Sequence, residues 1–319
     1  MLENRKVVII GAGHVGSHVA WALAMQGTAD EVVLLDIDKD KVLSNALDVA
    51  DGVGFMGSKT IVRVGGYEDV PDADLVVISI GMPRKPGQTR LEMLDDSIAM
   101  LQDVIRNMKP LNYQGIVITI TNPADIIADY VRKHLNLPRE RCFSTGTSLD
   151  STRLRRTIGE LCGVDPRSVS AFSLGEHGNS SMIPFSTVTI GGRKYTELRA
   201  EKPERYGKLS EEYILAQTRE IGITIIEGKG STEFGIGITL ADMAKAVLHD
   251  EHRVLPVSVL LDGEYGQKGV HAGVPCIIGR NGIEEIIELP LTEEEQEQFN
   301  QSCDILRQHI ARAEAIQFD

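Results

Sequence analysis

The chain has 319 residues, 42% of them hydrophobic and 25% charged, a composition that can close a sizeable apolar core and leaves no room for a disordered, collagenous or fibrous class. Its 46 acidic residues outnumber the 33 basic ones, and the net charge of -13 repels phosphate backbones and anionic membrane surfaces, which argues against a general nucleic-acid binder. A single core stops growing at roughly 250 to 300 residues, so two coupled halves are expected.

The N-terminus, Met1 to Arg5, is polar. The apolar run Val7 to Ile10 ends directly at Gly11 without the pattern of a signal peptide. Lys6 to Ile10 reads as a buried strand, Val15 to Gln26 as a helix with Val15, Val19 and Leu23 on one face, and Glu31 to Asp36 as a second strand. The alternation continues with a helix over Lys41 to Ala50, strands at Ile61 to Val64 and Leu75 to Ile80, a helix over Leu91 to Leu111 and a strand at Ile116 to Ile120. Strands apolar on both faces and separated by helices predict a parallel sheet covered on both sides.

Further along, Asp150 to Cys162 reads as a helix, Met182 to Lys194 as a hairpin turning at Gly191 and Gly192, and Leu209 to Ile226 and Thr232 to His249 as two long helices. Strands are expected at Arg253 to Asp262, Val274 to Gly279 and Glu284 to Glu288. A charged helix over Thr292 to Ala315 follows, with Thr292 as its cap. The fold class expected is therefore α/β: a Rossmann-type doubly wound parallel sheet in residues 1–145, and a second, α+β substrate domain in residues 146–319. The cysteines at 142, 162, 276 and 303 form no C-x-x-C pair, so packed thiols are expected rather than a disulfide framework or a zinc ribbon. No run approaches the ~18 apolar residues of a spanning helix, and a cytoplasmic protein without membrane or nucleic-acid partners is expected.

The segment Gly11-Ala-Gly13-His-Val-Gly16 lies between a strand and a helix, and Asp36 closes the next strand. This is the dinucleotide-binding spacing: Gly11 for the tight turn, Gly13 for close approach of the main chain to a pyrophosphate, and Gly16 for helix-strand packing. The helix N-terminus favours the phosphates. Val15 joins these glycines as a candidate cofactor contact. Asp36 would hydrogen-bond the ribose hydroxyls and repel a 2'-phosphate, which favours NAD over NADP even with Lys39 and Lys41 nearby.

Four further segments carry polar groups that a core would not choose: 81–90 with Arg84 and Arg90, Thr121-Asn122-Pro123, Asp150-Ser-Thr-Arg153, and Gly175-Glu176-His177-Gly178-Asn-Ser. Together with the glycine loop they resemble the NAD-dependent L-lactate/L-malate dehydrogenase family over nearly the whole chain. The residues suit that chemistry. Reducing a 2-oxo acid needs a proton donor near the carbonyl oxygen, a group that polarises it and a cation for the carboxylate. His177 belongs to a residue type with an unperturbed pKa of about 6.5 and is the candidate acid/base; Asp150 would fix its tautomer and stabilise the imidazolium. Arg153, three residues after Asp150 on one helix face, offers a bidentate fork, the competing reading being a solvated ion pair. By the resemblance, Arg90 closes over the substrate and polarises its carbonyl, and Asn122, before a proline whose bond could be cis, contacts substrate and nicotinamide. Thr232 lines the substrate side-chain pocket by the same resemblance, with an N-cap role as the competing reading. No metal is expected.

Substrate signals diverge. Arg84 stands where Arg accompanies malate enzymes and an uncharged residue accompanies lactate enzymes. Segments 144–150 and 175–180 and Thr232 resemble the lactate and L-2-hydroxyisocaproate branch, and Glu176 adds an acid in or near the pocket. Three segments against one residue favour pyruvate, with oxaloacetate the alternative. A redox-sensing NAD-binding protein is the reading from another class, but it would not need His177, Asp150, Arg153 and Arg90 together. The resemblance also implies a homotetramer or homodimer. Arg155 matches one of two residues of the family's sugar-phosphate activator site, and Ser170 replaces the histidine that completes it.

Overall fold

A computed structural model describes residues 4–81, 90–207 and 210–316, and of residues 90–92 the main chain. In chain order the first half comprises β1 (Lys6–Ile10), α1 (His14–Gln26), β2 (Glu31–Leu35), α2 (Lys39–Val53), β3 (Ile61–Val64), β4 (Leu75–Ile78), α3 (Arg90–Met108), β5 (Ile116–Thr119), α4 (Ala124–His134) and β6 (Cys142–Ser144). The second comprises α5 (Ser148–Cys162), β7 (Val169–Ser170), β8 (Thr189–Ile190), β9 (Arg193–Lys194), α6 (Tyr195–Glu201), α7 (Pro203–Tyr206), α8 (Glu211–Lys229), α9 (Phe234–Leu248), β10 (Arg253–Asp262), β11 (Lys268–Gly279), β12 (Gly282–Ile286) and α10 (Glu293–Ala315).

Six strands run in the order 3-2-1-4-5-6, all parallel. Val7, Val8, Ile9, Leu75, Val76, Val77 and Ile78 are wholly buried, the burial on both faces that their uninterrupted apolar character predicts. The chain reverses its direction of travel between β1 and β4, so the ends of these two strands open the crevice in which doubly wound sheets bind ligands. Three antiparallel strands continue the sheet beyond β6: β10 pairs with β6 at Ser258 and Ser144, and β11 and β12 follow. One nine-stranded sheet therefore passes through both halves of the chain.

Two apolar clusters hold the fold. The larger spans the sheet and reaches Phe299, Cys303 and Leu306 of α10. The smaller joins Leu154 and Ile158 of α5 to Val169, Ile183, Phe185, Val188, Tyr195 and Ile214. The hairpin turns where expected, at Gly191 and Gly192, both at positive φ. Thr292 caps α10 and closes a capping box with Glu295. All four cysteines are buried free thiols.

Several expectations shift. α4 was not among the expected helices, although Ile126, Ile127, Tyr130 and Val131 give it a buried face. β6 is too short at three residues to stand out as a strand. α9 starts at Phe234 with Glu233 at its N-cap, so Thr232 lies outside the helix and does not cap it. Among the described residues no helix is long and apolar enough to cross a membrane.

Candidate active site

The glycine loop is shaped by contacts that leave no room for side chains. Gly11 has φ +98°, and a Cβ there would lie 2.4 Å from the Ser79 carbonyl oxygen at the end of β4. A Cβ on Gly16 would lie 1.9 Å from the Gly11 oxygen. Gly13 differs: a Cβ would meet only the Lys41 Nζ, at 4.0 Å, so the space over the start of α1 is open. The first turn of α1 carries no side-chain cap, leaving its N–H groups for an anion. Asp36, just past β2, accepts the Ala12 N–H at 2.7 Å and the Asp38 N–H at 3.0 Å. It ties the loop to the strand end, and each oxygen keeps a lone pair for a ribose hydroxyl. Open main chain at a helix N-terminus beside an acid suits a dinucleotide. Val15 is half-buried against the core. His14 is the first residue of α1 and faces the Glu233 carboxylate at 3.6 Å, which also lies 3.8 Å from His18. Phe234 packs edge-on against His18, so the start of α9 is fastened to the helix behind the loop.

His177 lies on the loop 175–181. Gly175 has φ +85°, and a Cβ there would lie 2.4 Å from the Ser302 Oγ of α10. Its main chain exchanges two hydrogen bonds with Gly273 of β11, and the Glu176 N–H donates to Ser302 Oγ at 2.8 Å. The loop is thus clamped between the sheet and the last helix. Glu176 is buried, and its carboxylate accepts the N–H and hydroxyl of Ser180 at 3.0 and 2.6 Å. It braces its own loop.

The His177 Nδ1 faces Asp150 Oδ2 at 2.6 Å. Asp150 sits in the first turn of α5, where the helix dipole favours an anion, and its Oδ1 takes the Arg153 Nη1 at 3.4 Å. The Asp150 charge raises the His177 imidazole above its ordinary value, against the opposing effect of burial. Burial pushes Asp150 up, but His177 and then Arg153 outweigh it and hold the carboxyl low. Arg153 is itself nearly buried, and it abuts α8 at Gly222, where a Cβ would lie 3.0 Å from Nη1. From beneath, the Asp125 Oδ2 accepts the His177 main-chain N–H at 2.9 Å.

His177, Asp150 and Arg153 therefore meet in one constellation. The Asn122–Pro123 bond is cis, and Asn122, with an exposed side chain, stands three residues before Asp125; its carbonyl accepts from Ser97 of α3 at 2.9 Å. Thr232 is half-buried between α8 and α9. Arg84 lies outside the described residues, and Arg90 begins α3 with its side chain outside them. Asp125, Gly222 and Glu233 were not singled out from the sequence. The signal that could have found the first is an acid two residues after a cis-capable proline, whereas nothing in the sequence pairs Gly222 with Arg153.

A dinucleotide loop at the switch point and an acid-buttressed imidazole beside a near-buried arginine suit a nicotinamide-dependent oxidoreductase. Residues 5–144 match the family described as lactate/malate dehydrogenase, NAD binding domain, and residues 147–317 match its alpha/beta C-terminal domain. L-lactate dehydrogenase 3 of Bacillus thuringiensis subsp. konkukian is 43% identical over 97% of this chain and 98% of its own. The minor L-lactate dehydrogenase from Enterococcus mundtii in its ligands-bound form superposes with a TM-score of 0.92 at 37% identity, covering 99% of each chain. Cryptosporidium parvum malate dehydrogenase gives 0.91 at 30% identity, over 98% of this chain and 100% of that one. The chain belongs to the lactate/malate dehydrogenase family, and it is an NAD-dependent oxidoreductase.

Proposed function

We propose that the chain is an L-lactate dehydrogenase that interconverts pyruvate and L-lactate. The observation that carries this reading is His177 held by Asp150 at 2.6 Å with Arg153 on the same helix face. Gly11, Gly13, Val15, Gly16 and Asp36 would hold NADH, which when bound would supply the hydride for C2 of the 2-oxo acid. Arg153 takes the substrate carboxylate, which fixes the orientation of the carbonyl. The His177 Nε2, the nitrogen turned away from Asp150, gives its proton to the carbonyl oxygen and retakes it in the oxidative direction. Asp150 holds the ring's tautomer and balances the imidazolium. Arg90 and Asn122 are assigned the carbonyl oxygen and the nicotinamide side, and Thr232 and Arg84 the substrate's third carbon. Residues 1–145 and 146–319 then divide the work between cofactor and substrate. A homodimer or homotetramer and a cytoplasmic setting complete the reading, the latter in keeping with four buried free thiols.

Arg84 supports a second reading, oxaloacetate as substrate, because its guanidinium would pair with a second carboxylate. With pyruvate it would face a methyl group and, if desolvated and unpaired, cost on the order of several kcal/mol. Initial rates of NADH oxidation against pyruvate, oxaloacetate and 2-oxoisocaproate, compared as kcat/KM, decide between them. Pyruvate is expected to lead, and an oxaloacetate preference of orders of magnitude makes the protein a malate dehydrogenase. His177→Asn is expected to lose at least about 10³-fold in turnover on every 2-oxo acid while still binding NADH. Normal reduction by that variant would overturn the mechanism.

A further inference from the structure

Beneath the imidazole lies a carboxylate that the Asp150 pair does not use. Asp125 stands in the first turn of α4 and is 1% exposed. One oxygen accepts the His177 main-chain N–H at 2.9 Å, and the other, Oδ1, is buried and completes no well-formed hydrogen bond, the buried Ser258 hydroxyl of β10 lying beside the carboxyl without closing one. A carboxylate serving only as a cap would turn its second oxygen to water, and one serving only the core would have both oxygens satisfied. The N-terminal end of α4 favours a negative charge here, and the clamped 175–181 loop holds the imidazole over it.

We propose that Asp125 is a positioning residue for the reaction: it anchors His177 through the main chain and supplies, alongside Asp150, a second negative charge that holds the imidazolium. The proposal rests on His177 being the proton donor. Among the described residues, the charged and titratable groups around the pair include Asp150 and Arg153 on α5, Glu176 on the loop, Arg219 on α8 and Cys303 on α10. Burial pushes the Asp125 carboxyl up to about 6, opposed by the buried Ser258 hydroxyl of β10 and the His177 N–H. Its charge therefore changes across the neutral range, and it adds to the Asp150 effect on His177. A wild-type pH profile shallower than that of one isolated group follows.

Asp125→Asn keeps an acceptor for the His177 N–H and removes the charge. Reduction needs protonated His177 and oxidation needs it neutral, so the two directions are expected to respond oppositely. Reductive kcat/KM should fall about five- to tenfold at pH 8, while oxidative kcat/KM at pH 6 stays level or rises. Profiles that superpose on the wild type, or equal losses in both directions at both pH values, overturn the proposal, since a displaced loop alone would produce the latter. If the variant does not fold, Ser258→Ala replaces it. Releasing the hydroxyl leaves Asp125 more protonated, with a smaller shift of the same sign expected, and its absence counts against the proposal. His177→Asn run in parallel separates the two readings: an active His177→Asn defeats the proton-donor assignment itself, whereas an inactive one beside an unshifted Asp125→Asn defeats this inference alone.

Discussion

The glycine loop and the imidazole site both present polar groups to a ligand, but they are assembled over different spans of chain. Six consecutive residues form the first, and side chains tie it in at Ala12, from Asp36 24 positions away and from Asn45 33 positions away. The second draws on three elements: Asp150 lies 27 positions from His177 and Asp125 lies 52. Main-chain geometry governs the first, where a Cβ on Gly16 or Gly11 would lie 1.9 or 2.4 Å from a carbonyl oxygen. Charge governs the second, where each group's ionisation depends on its neighbours. A local motif can fail sterically at one residue. The assembled site fails electrostatically, and its failure depends on pH.

The largest effect expected from testing this contrast is at Asp150. Asp150→Asn removes the charge that raises His177 and frees the wrong tautomer, so reductive kcat/KM should drop about 10³- to 10⁴-fold. The sign with pH follows: protonated His177 is available below its raised value and lost as pH rises through it, so the loss begins at lower pH in the variant and the deficit widens on the alkaline side. A deficit independent of pH from 6 to 9 would show that Asp150 acts on geometry alone. Gly16→Ala comes next. Its methyl must displace the Gly11 carbonyl, so the NADH Kd should rise about tenfold or more and the Tm should fall, with the pH profile unmoved. Fluorescence titration and thermal unfolding check both. Gly222→Ala is the mildest: a methyl 3.0 Å from the Arg153 guanidinium should raise the pyruvate KM about three- to tenfold with the NADH Kd unchanged, because that side chain can give way. An unchanged KM would mean that Arg153 already has room to move.

The same contrast explains what was legible in the sequence. The doubly wound sheet was readable because Val7, Val8, Leu75 and Val76 are apolar on both faces and buried, and the loop because its spacing is its geometry. His177, Asp150 and Arg153 were legible as residue types, and Asp150 and Arg153 as one helix face, but not the 2.6 Å contact. The cap of α9 shifted from Thr232 to Glu233, since residues 230–233 offer several polar candidates and the helix start is set by packing of Phe234 on His18. Gly222 was invisible because a glycine within a helix reads as a weak helix former until the side chain that fills its space is known.

The continuous sheet carries a mechanical consequence. β6 and β10 join the two halves edge to edge, and β11 holds the Gly175 main chain directly. A hinge between cofactor and substrate halves would have to break the Ser144–Ser258 pairing, so the distance from the dinucleotide loop to the imidazole is set by the spacing of strands, as on a ruler. Any movement that shuts the cleft must therefore come from elements hung on the sheet, and thermal loosening of those elements would open the cleft to water long before it altered the reach between donor and acceptor.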